Sequence, residues 1–162
     1  MVLGMNTFTA LHVLLSLIGI VSGLVVLFGL ITANMMSSWT LLFLVTTLAT
    51  SVTGFFFPIH GFTPALGVGI LSVFILLAVI GARFRYHLSG VWRWVYVIGT
   101  VAALYFNSFV LVVQAFLKIP ELRMLAPTGS EPPFAFAQAI VLVFYFVTGA
   151  LAIKGFRNAS IN

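Results

Sequence analysis

The stretch from Val91 to Lys118 is long enough to cross a lipid bilayer, and it carries polar residues along one of its faces. At helical spacing, this face consists of Tyr96, Thr100, Ala103, Asn107, Val110, Gln114 and Lys118. Because hydrocarbon penalises polar side chains, the face is predicted to point inward, toward other helices or a cavity. We therefore interpret the rest of the chain as a bundle that encloses this stretch.

The composition indicates a chain that folds in lipid. Of its 162 residues, 62% are hydrophobic and 6% are charged, and the mean hydropathy is +1.26. A soluble domain carries about 25% charged residues, so this protein could not cover itself with a water-soluble surface. The predicted fold class is an all-α membrane protein built as a single bundle of five transmembrane helices.

Five apolar segments are predicted to be the spans of this bundle, and one transmembrane domain is assigned to residues 1–162. The segments comprise residues 8–31, 39–57, 65–82, 91–117 and 134–153. The predicted loops are 32–38 and 83–90 on one side and 58–64 and 118–133 on the other. A secretory signal begins with a basic region, and Met1–Thr7 contains no Lys or Arg. The first segment is therefore predicted to be a retained helix.

The basic residues assign a side of the membrane to each loop. Five of them border the same ends of the spans, namely Arg83, Arg85, Arg93, Lys154 and Arg157. The two others, Lys118 and Arg123, border the opposite ends. Because cytoplasmic loops carry the excess of Lys and Arg, we predict that the N-terminus lies outside and the C-terminus lies in the cytoplasm.

The two loops predicted to lie outside contain all six prolines and both glutamates. Proline reduces the entropy that a loop loses when it becomes ordered, so this face is predicted to form a stiff outer cap. The charged residues of the outer cap are Lys118, Glu121, Arg123 and Glu131. The alternative interpretation is a set of solvated charges that contributes little to stability.

Several polar or aromatic residues are predicted to lie near the outer ends of the spans, where a ligand could reach them. They are His12, His60, Tyr105, Asn107, Gln114 and Gln138. Intramembrane polar side chains mark candidate functional sites, so these six form the predicted ligand-binding set. Structural alternatives stay open, because amides in membrane helices often hold helices together, at about 0.6 kcal/mol on average. His12 can equally be a packing residue, and His60 a residue that orders its loop.

The function that this pattern favours is the binding of a lipid or small apolar ligand in a polar pocket that opens outward. The expected partners are membrane lipid, such a ligand, and a protein partner or a second copy of the chain within a larger complex. One alternative is a redox subunit that holds haem b through His12 and His60, or a quinone through His12 and Gln114. Another is a small transporter, although two related halves are not visible.

Other classes of function are not favoured. His12, His60 and Glu131 have no spacing that defines a metal site, and no nucleophile motif predicts a catalytic residue. The absence of cysteine excludes disulfides, thiolate metal sites and covalently attached c-type haem. The pI of about 10.3 is explained by basic residues that border the spans, so no nucleic-acid partner is predicted.

Two stretches resemble a known kind of protein. They are RYHLSGVWRWVYVIG, which begins at Arg85, and the segment from Gln114 through APTGSEPPF to Gln138. Both are similar to small proteobacterial inner-membrane proteins of unknown function. The resemblance implies a fold of several helices in the bacterial cytoplasmic membrane, and it implies no activity and no catalytic residue.

Overall fold

The computed structural model describes residues 6–58 and 64–157, and this part of the chain is helical with short connections. The helices are α1 (Thr7–Ile31), α2 (Ser37–Gly54), α3 (Pro64–Ile80), α4 (Trp92–Lys118), the short α5 (Pro120–Leu125) and α6 (Pro132–Arg157). A π-helical turn, Gly81–Arg85, extends α3. Each predicted span therefore contains a helix, and the predicted outer loop 118–133 contains α5 as well.

Four of these helices are long and apolar enough to cross a membrane. They are Thr7–Ile31, Ala65–Arg85, Trp92–Lys118 and Pro132–Arg157, with 25, 21, 27 and 26 residues. The helix α2 has 18 residues and is rich in Thr and Ser, which places it outside this group. The described residues therefore form a helical bundle with four candidate membrane spans.

The helix α4 lies at the centre of the bundle. Each of the five long helices packs against the next in the order α1, α2, α3, α4 and α6, and α6 packs against α1. The helix α4 also packs against α1 and α2, so it contacts all four of the others. The predicted inward face is buried at Tyr96, Thr100, Ala103 and Asn107. Between Tyr96 and Asn107, the polar face of α4 therefore points toward other helices. Exposing this face to lipid would be energetically costly.

The inward prediction is wrong for the last two turns of α4, where Gln114 and Lys118 are exposed. In these turns the buried residue is Phe116, which lies on the opposite side of the helix. Its ring contacts the Phe134 ring, with 5.4 Å between the centroids. Residues 114 and 116 differ by about 200° around a helix. Because the start of α6 covers the Phe116 side, the Gln114 side is left open.

The bundle has two chemically different ends. The basic end carries Arg83, Arg85, Arg93, Lys154 and Arg157, at the end of α3, the start of α4 and the end of α6. The other end, which we call the acidic end because both glutamates lie there, carries Glu121 and Glu131 as well as Lys118 and Arg123, and it contains the start of α1 and the end of α4. Of the predicted ligand-binding residues in the described part of the chain, Tyr105 lies at the middle of α4, and the others lie nearer to the acidic end.

A buried leucine shapes the link between α3 and α4 at the basic end. Leu88 is 4% exposed and has a positive φ of 57°, and its N–H donates to the Ala82 carbonyl at 2.9 Å. The left-handed backbone is unfavourable for leucine. Burial of this side chain and closure of the turn onto α3 offset that cost.

The helices α1 and α6 approach each other closely at the basic end. A Cβ added at Gly155 would overlap the Ile31 carbonyl oxygen and would lie 2.9 Å from the Leu30 oxygen. Both are backbone atoms, which cannot rotate away as a side chain can. The two helices therefore touch main chain to main chain at this point, and only glycine permits it.

We expect Gly155→Ala to destabilise the bundle by about 1–3 kcal/mol, because the new methyl group forces α1 and α6 apart. Thermal unfolding of the purified protein in mild detergent measures this loss. Gly81→Ala is the matched control, since nothing lies within 4 Å of its added Cβ. Equal stability of the two variants would contradict the contact.

Candidate functional site

A reciprocal pair of hydrogen bonds joins α1 to α4 in the half of the bundle toward the acidic end. Ser16 Oγ donates to Asn107 Oδ1 at 2.7 Å, and Asn107 Nδ2 donates to the Ser16 carbonyl at 3.3 Å. Asn107 is 8% exposed. Its amide is thus engaged through both polar atoms by a single residue of α1, which is the arrangement expected of an interhelical contact.

The helix α2 reaches the same place through two threonines. A Cβ on Gly19 would lie 2.9 Å from Thr47 Oγ1, 3.1 Å from Asn107 Nδ2 and 3.3 Å from Thr46 Oγ1. Gly19 is therefore the point where α1, α2 and α4 meet. We call Ser16, Gly19, Thr46, Thr47 and Asn107 the polar seam.

The two threonines of the polar seam differ in their hydrogen bonding. Thr46 Oγ1 donates to the Leu42 carbonyl of its own helix at 2.7 Å. Thr47 Oγ1 is buried and has no hydrogen-bond partner among the described residues. Leaving a buried hydroxyl unpaired costs about 1–3 kcal/mol, so Thr47 is the unsatisfied position of the seam.

His12 lies one turn from Ser16, toward the start of α1. Its Nδ1 is 2.8 Å from Thr53 Oγ1, and its ring meets that of Phe57 edge to face at 5.0 Å between centroids. Because the Thr53 hydroxyl donates to the Ala49 carbonyl at 2.7 Å, it accepts the bond from His12. In the tautomer that satisfies both of these bonds, the neutral imidazole carries its proton on Nδ1 and keeps the lone pair on Nε2.

Gln138 and Tyr105 belong to a different contact, between α4 and α6. Gln138 Nε2 donates to the Phe109 carbonyl at 3.2 Å, and its Oε1 is buried without a partner in the described structure. The Tyr105 ring lies 6.0 Å from that of Tyr145, whose hydroxyl is 2.8 Å from Ser108 Oγ. This interface is therefore held by its own polar pairs.

The predicted ligand-binding set is thus divided among separate places. His12 and Asn107 are on the α1 side, Tyr105 and Gln138 are between α4 and α6, and Gln114 is exposed near the end of α4. His60 lies outside the described residues. The sequence predicted that these residues lie at similar depths in the bilayer. In the structure, helix packing places them on different sides of the bundle axis.

The outer-cap residues Lys118, Glu121 and Arg123 are exposed. Glu131 closes a turn instead, because its carboxylate accepts from the N–H and hydroxyl of Thr128, at 3.0 and 2.9 Å, and from the Ser130 N–H at 3.1 Å. Desolvation is the largest single influence and acts to raise the pKa of Glu131, but the hydrogen bonds together outweigh it, so the pKa lies below its ordinary value. The Glu131 turn therefore tightens above that pKa and loosens as the carboxylate is protonated.

Two surface grooves are lined by apolar residues and contain none of the predicted ligand-binding residues. The larger, of about 410 Å³, runs along α6 and is lined by Phe136, Ala139, Ile140, Val143 and Phe144. The second, of about 230 Å³, lies between α1 and α2 and is lined by Leu17, Ile18, Val21, Ser22, Trp39 and Leu42. Exposed apolar surface of this kind is what a lipid-facing helix presents.

Sequence reasoning did not assign a site role to Ser16, Thr47 or Thr53. Ser16 and Gly19 lie on the same helical face as His12, which was the available signal on α1. No such signal picks out Thr47 from its neighbour Thr46, because the difference arises from side-chain rotation. The described residues contain no group of three His, Asp or Glu side chains placed to hold a metal ion.

We expect Asn107→Ala to destabilise the protein by about 1–2 kcal/mol, since it removes both bonds to Ser16. Gln114→Ala is the matched amide control on the same helix, and its exposed side chain predicts a change within about 0.5 kcal/mol. Unfolding by a graded addition of denaturing detergent compares the two variants. A larger loss for Gln114→Ala than for Asn107→Ala would overturn the assignment of the buried amide.

No family model, curated protein or solved structure matches this chain. What the protein does is therefore inferred from its own residues and their geometry.

Proposed function

We propose that the chain is a five-span protein of a bacterial cytoplasmic membrane, in which α2 is the fifth span. At 1.5 Å per residue, the 18 residues of α2 extend about 27 Å, close to the ~30 Å of a hydrocarbon core. Most of its hydroxyls also donate to carbonyls of the preceding turn, which lowers their cost in lipid. These bonds join Thr40 to Met36, Thr46 to Leu42, Thr50 to Thr46, Ser51 to Thr47 and Thr53 to Ala49.

The proposed orientation has the basic end in the cytoplasm and the acidic end outside. Five of the seven Lys and Arg residues support it, together with the tryptophans Trp39, Trp92 and Trp94 near the same end. With five spans, the N-terminus then lies outside and the C-terminus inside.

Single cysteines test this topology, because the chain has none of its own. A membrane-impermeant maleimide applied to intact cells should label Pro58→Cys and Ser130→Cys, and it should label Asn34→Cys and Ser89→Cys only after permeabilisation. All four positions are exposed. Labelling of Asn34→Cys and Pro58→Cys from the same side would show that α2 does not cross, and complete inversion of the pattern would overturn the orientation.

The proposed activity is the binding of a lipid or other small, largely apolar ligand at the polar seam. The observation that carries it is the Thr47 hydroxyl, buried in the bundle without a partner among the described residues. Buried polar groups in proteins almost always have a partner. A hydroxyl or carbonyl at the head of a ligand would supply one.

The neighbours of Thr47 support the same ligand chemistry. Asn107 Nδ2 carries two hydrogens and makes one hydrogen bond among the described residues, to the Ser16 carbonyl. One polar head group could therefore interact with both Thr47 and Asn107. The surrounding helix faces are apolar, so the body of the ligand would be hydrocarbon or an aromatic ring.

The state of His12 favours one alternative, a quinone- or haem-binding redox subunit. Thr53 holds Nδ1–H, and this leaves Nε2 to accept a hydrogen bond or to ligate iron. Histidines that ligate metals commonly have the other ring nitrogen engaged in this way. A visible spectrum and a quinone extraction of the purified protein separate this alternative from lipid binding.

Thr47→Val tests the proposed site, because valine keeps the shape of threonine and removes the hydroxyl. We expect it to abolish co-purification of the ligand, read by mass spectrometry of protein extracted in mild detergent. The ligand-free protein should be equal or up to about 1–2 kcal/mol more stable, since an unpaired buried hydroxyl is lost.

Thr46→Val is the control, because its hydroxyl is already bonded within α2. It should retain the co-purifying molecule. If both variants retain it, or if wild-type protein carries nothing, ligand binding at the polar seam is wrong.

A further inference from the structure

An unpaired polar atom also lies between α4 and α6, away from the polar seam. It is Oε1 of Gln138, which is buried and has no hydrogen-bond partner among the described residues. Two other polar side chains of this interface are paired with each other, since the hydroxyls of Ser108 and Tyr145 lie 2.8 Å apart. Because buried polar groups in proteins almost always have a partner, Gln138 is the position where this interface is incomplete.

The one hydrogen bond of the Gln138 amide fixes its orientation. The amide nitrogen Nε2 lies 3.2 Å from the Phe109 carbonyl oxygen, which can only accept a hydrogen bond. Turning the amide over would place two oxygens against each other, so the bonded atom has to be the nitrogen. The unpaired atom is therefore an acceptor, and the partner that it lacks is a donor.

Aromatic rings border this contact on both sides. Toward the middle of the bundle, the Tyr105 ring lies 6.1 Å from the Phe109 ring and 6.0 Å from the Tyr145 ring, between centroids. Toward the acidic end, the rings of Phe116 and Phe134 meet edge to face at 5.4 Å. Aromatic rings attract each other beyond the area that they bury. A ligand with an aromatic body is therefore favoured here over one made of plain hydrocarbon.

The interface is accessible from the lipid side. The helix α6 is the least enclosed of the four candidate spans. Phe136 and Ile140, two residues before and after Gln138, are 70% and 68% exposed. Neighbouring atoms cover Gln138 Oε1, so a ligand reaches it when one of the bordering side chains rotates, as side chains at binding interfaces commonly do.

We propose that the interface of α4 and α6 binds a phenol that enters from the bilayer, with the phenol hydroxyl donating to Gln138 Oε1. A phenol combines the missing O–H donor with an aromatic ring, and it is apolar enough to dissolve in hydrocarbon. This site does not depend on the proposed ligand at the polar seam, which lies among α1, α2 and α4.

Equilibrium dialysis of the protein in lipid nanodiscs tests this site, and empty nanodiscs measure how much of each probe enters the lipid alone. The probes are para-hexylphenol and para-hexylanisole, in which a methyl ether replaces the O–H group. Wild-type protein should bind the phenol about tenfold more tightly, because the anisole has no hydrogen to donate. Dodecanol, which has a hydroxyl and as many carbons as the phenol, lacks the ring and should bind more weakly than the phenol. Equal binding of the phenol and the anisole, or binding of dodecanol as tight as that of the phenol, would overturn the proposal.

Two variants of α6 assign the preference to a residue. Gln138→Met removes the acceptor, keeps a long flexible side chain, and should reduce the preference for the phenol to about twofold or less. Thr148→Val is the control, because the Thr148 hydroxyl already donates to the Phe144 carbonyl at 2.7 Å, and it should keep the full preference. A melting curve of each variant checks that it is folded, and the comparison of probes on wild-type protein needs no substitution. A preference that survives in Gln138→Met, or that is lost equally in Thr148→Val, would contradict the role of Gln138.

Discussion

The fold depends on one constraint, which is that polar groups within apolar helices must find partners inside the bundle. Asn107 illustrates it, because both polar atoms of its amide bond to Ser16 on the neighbouring helix. Most hydroxyls of α2 meet the same requirement by bonding to their own backbone, with Thr47 as the exception. The central position of α4 follows, since the helix with the most polar face is the one most costly to leave exposed.

The two ends of the bundle meet different requirements. At the basic end, Arg83 and Arg93 pack against aromatic rings, and Arg93 also contacts a carbonyl oxygen. The buried Leu88 packs the α3–α4 link against the helices. At the acidic end, prolines and the Glu131 turn shape a longer connection. The neutral polar seam within the bundle therefore differs in chemistry from the basic end.

Hydrophobic segments and helical periodicity were sufficient to predict where the helices lie and that Asn107 faces inward. Periodicity could not predict that Gln114 is exposed, because the two amides share one face and differ only in whether a neighbouring helix reaches that level. It also could not pair residues on different helices, since Ser16 meets Asn107 and Thr53 meets His12 only after the helices have packed. Whether the Thr47 hydroxyl finds a hydrogen-bond partner depends on its side-chain rotamer, and sequence patterns do not specify rotamers.

The main-chain contact at Gly155 has a mechanical consequence for the bundle. At the basic end, the backbones of α1 and α6 pack directly against each other at Gly155, with no side chain between them. The two helices cannot separate there without losing this backbone contact. Toward the start of α1, the contacts are made by side chains such as His12 and Ser16, which can rotate. Gly155 therefore sets the distance between α1 and α6 at the basic end, and side-chain contacts set the position of α1 at its other end.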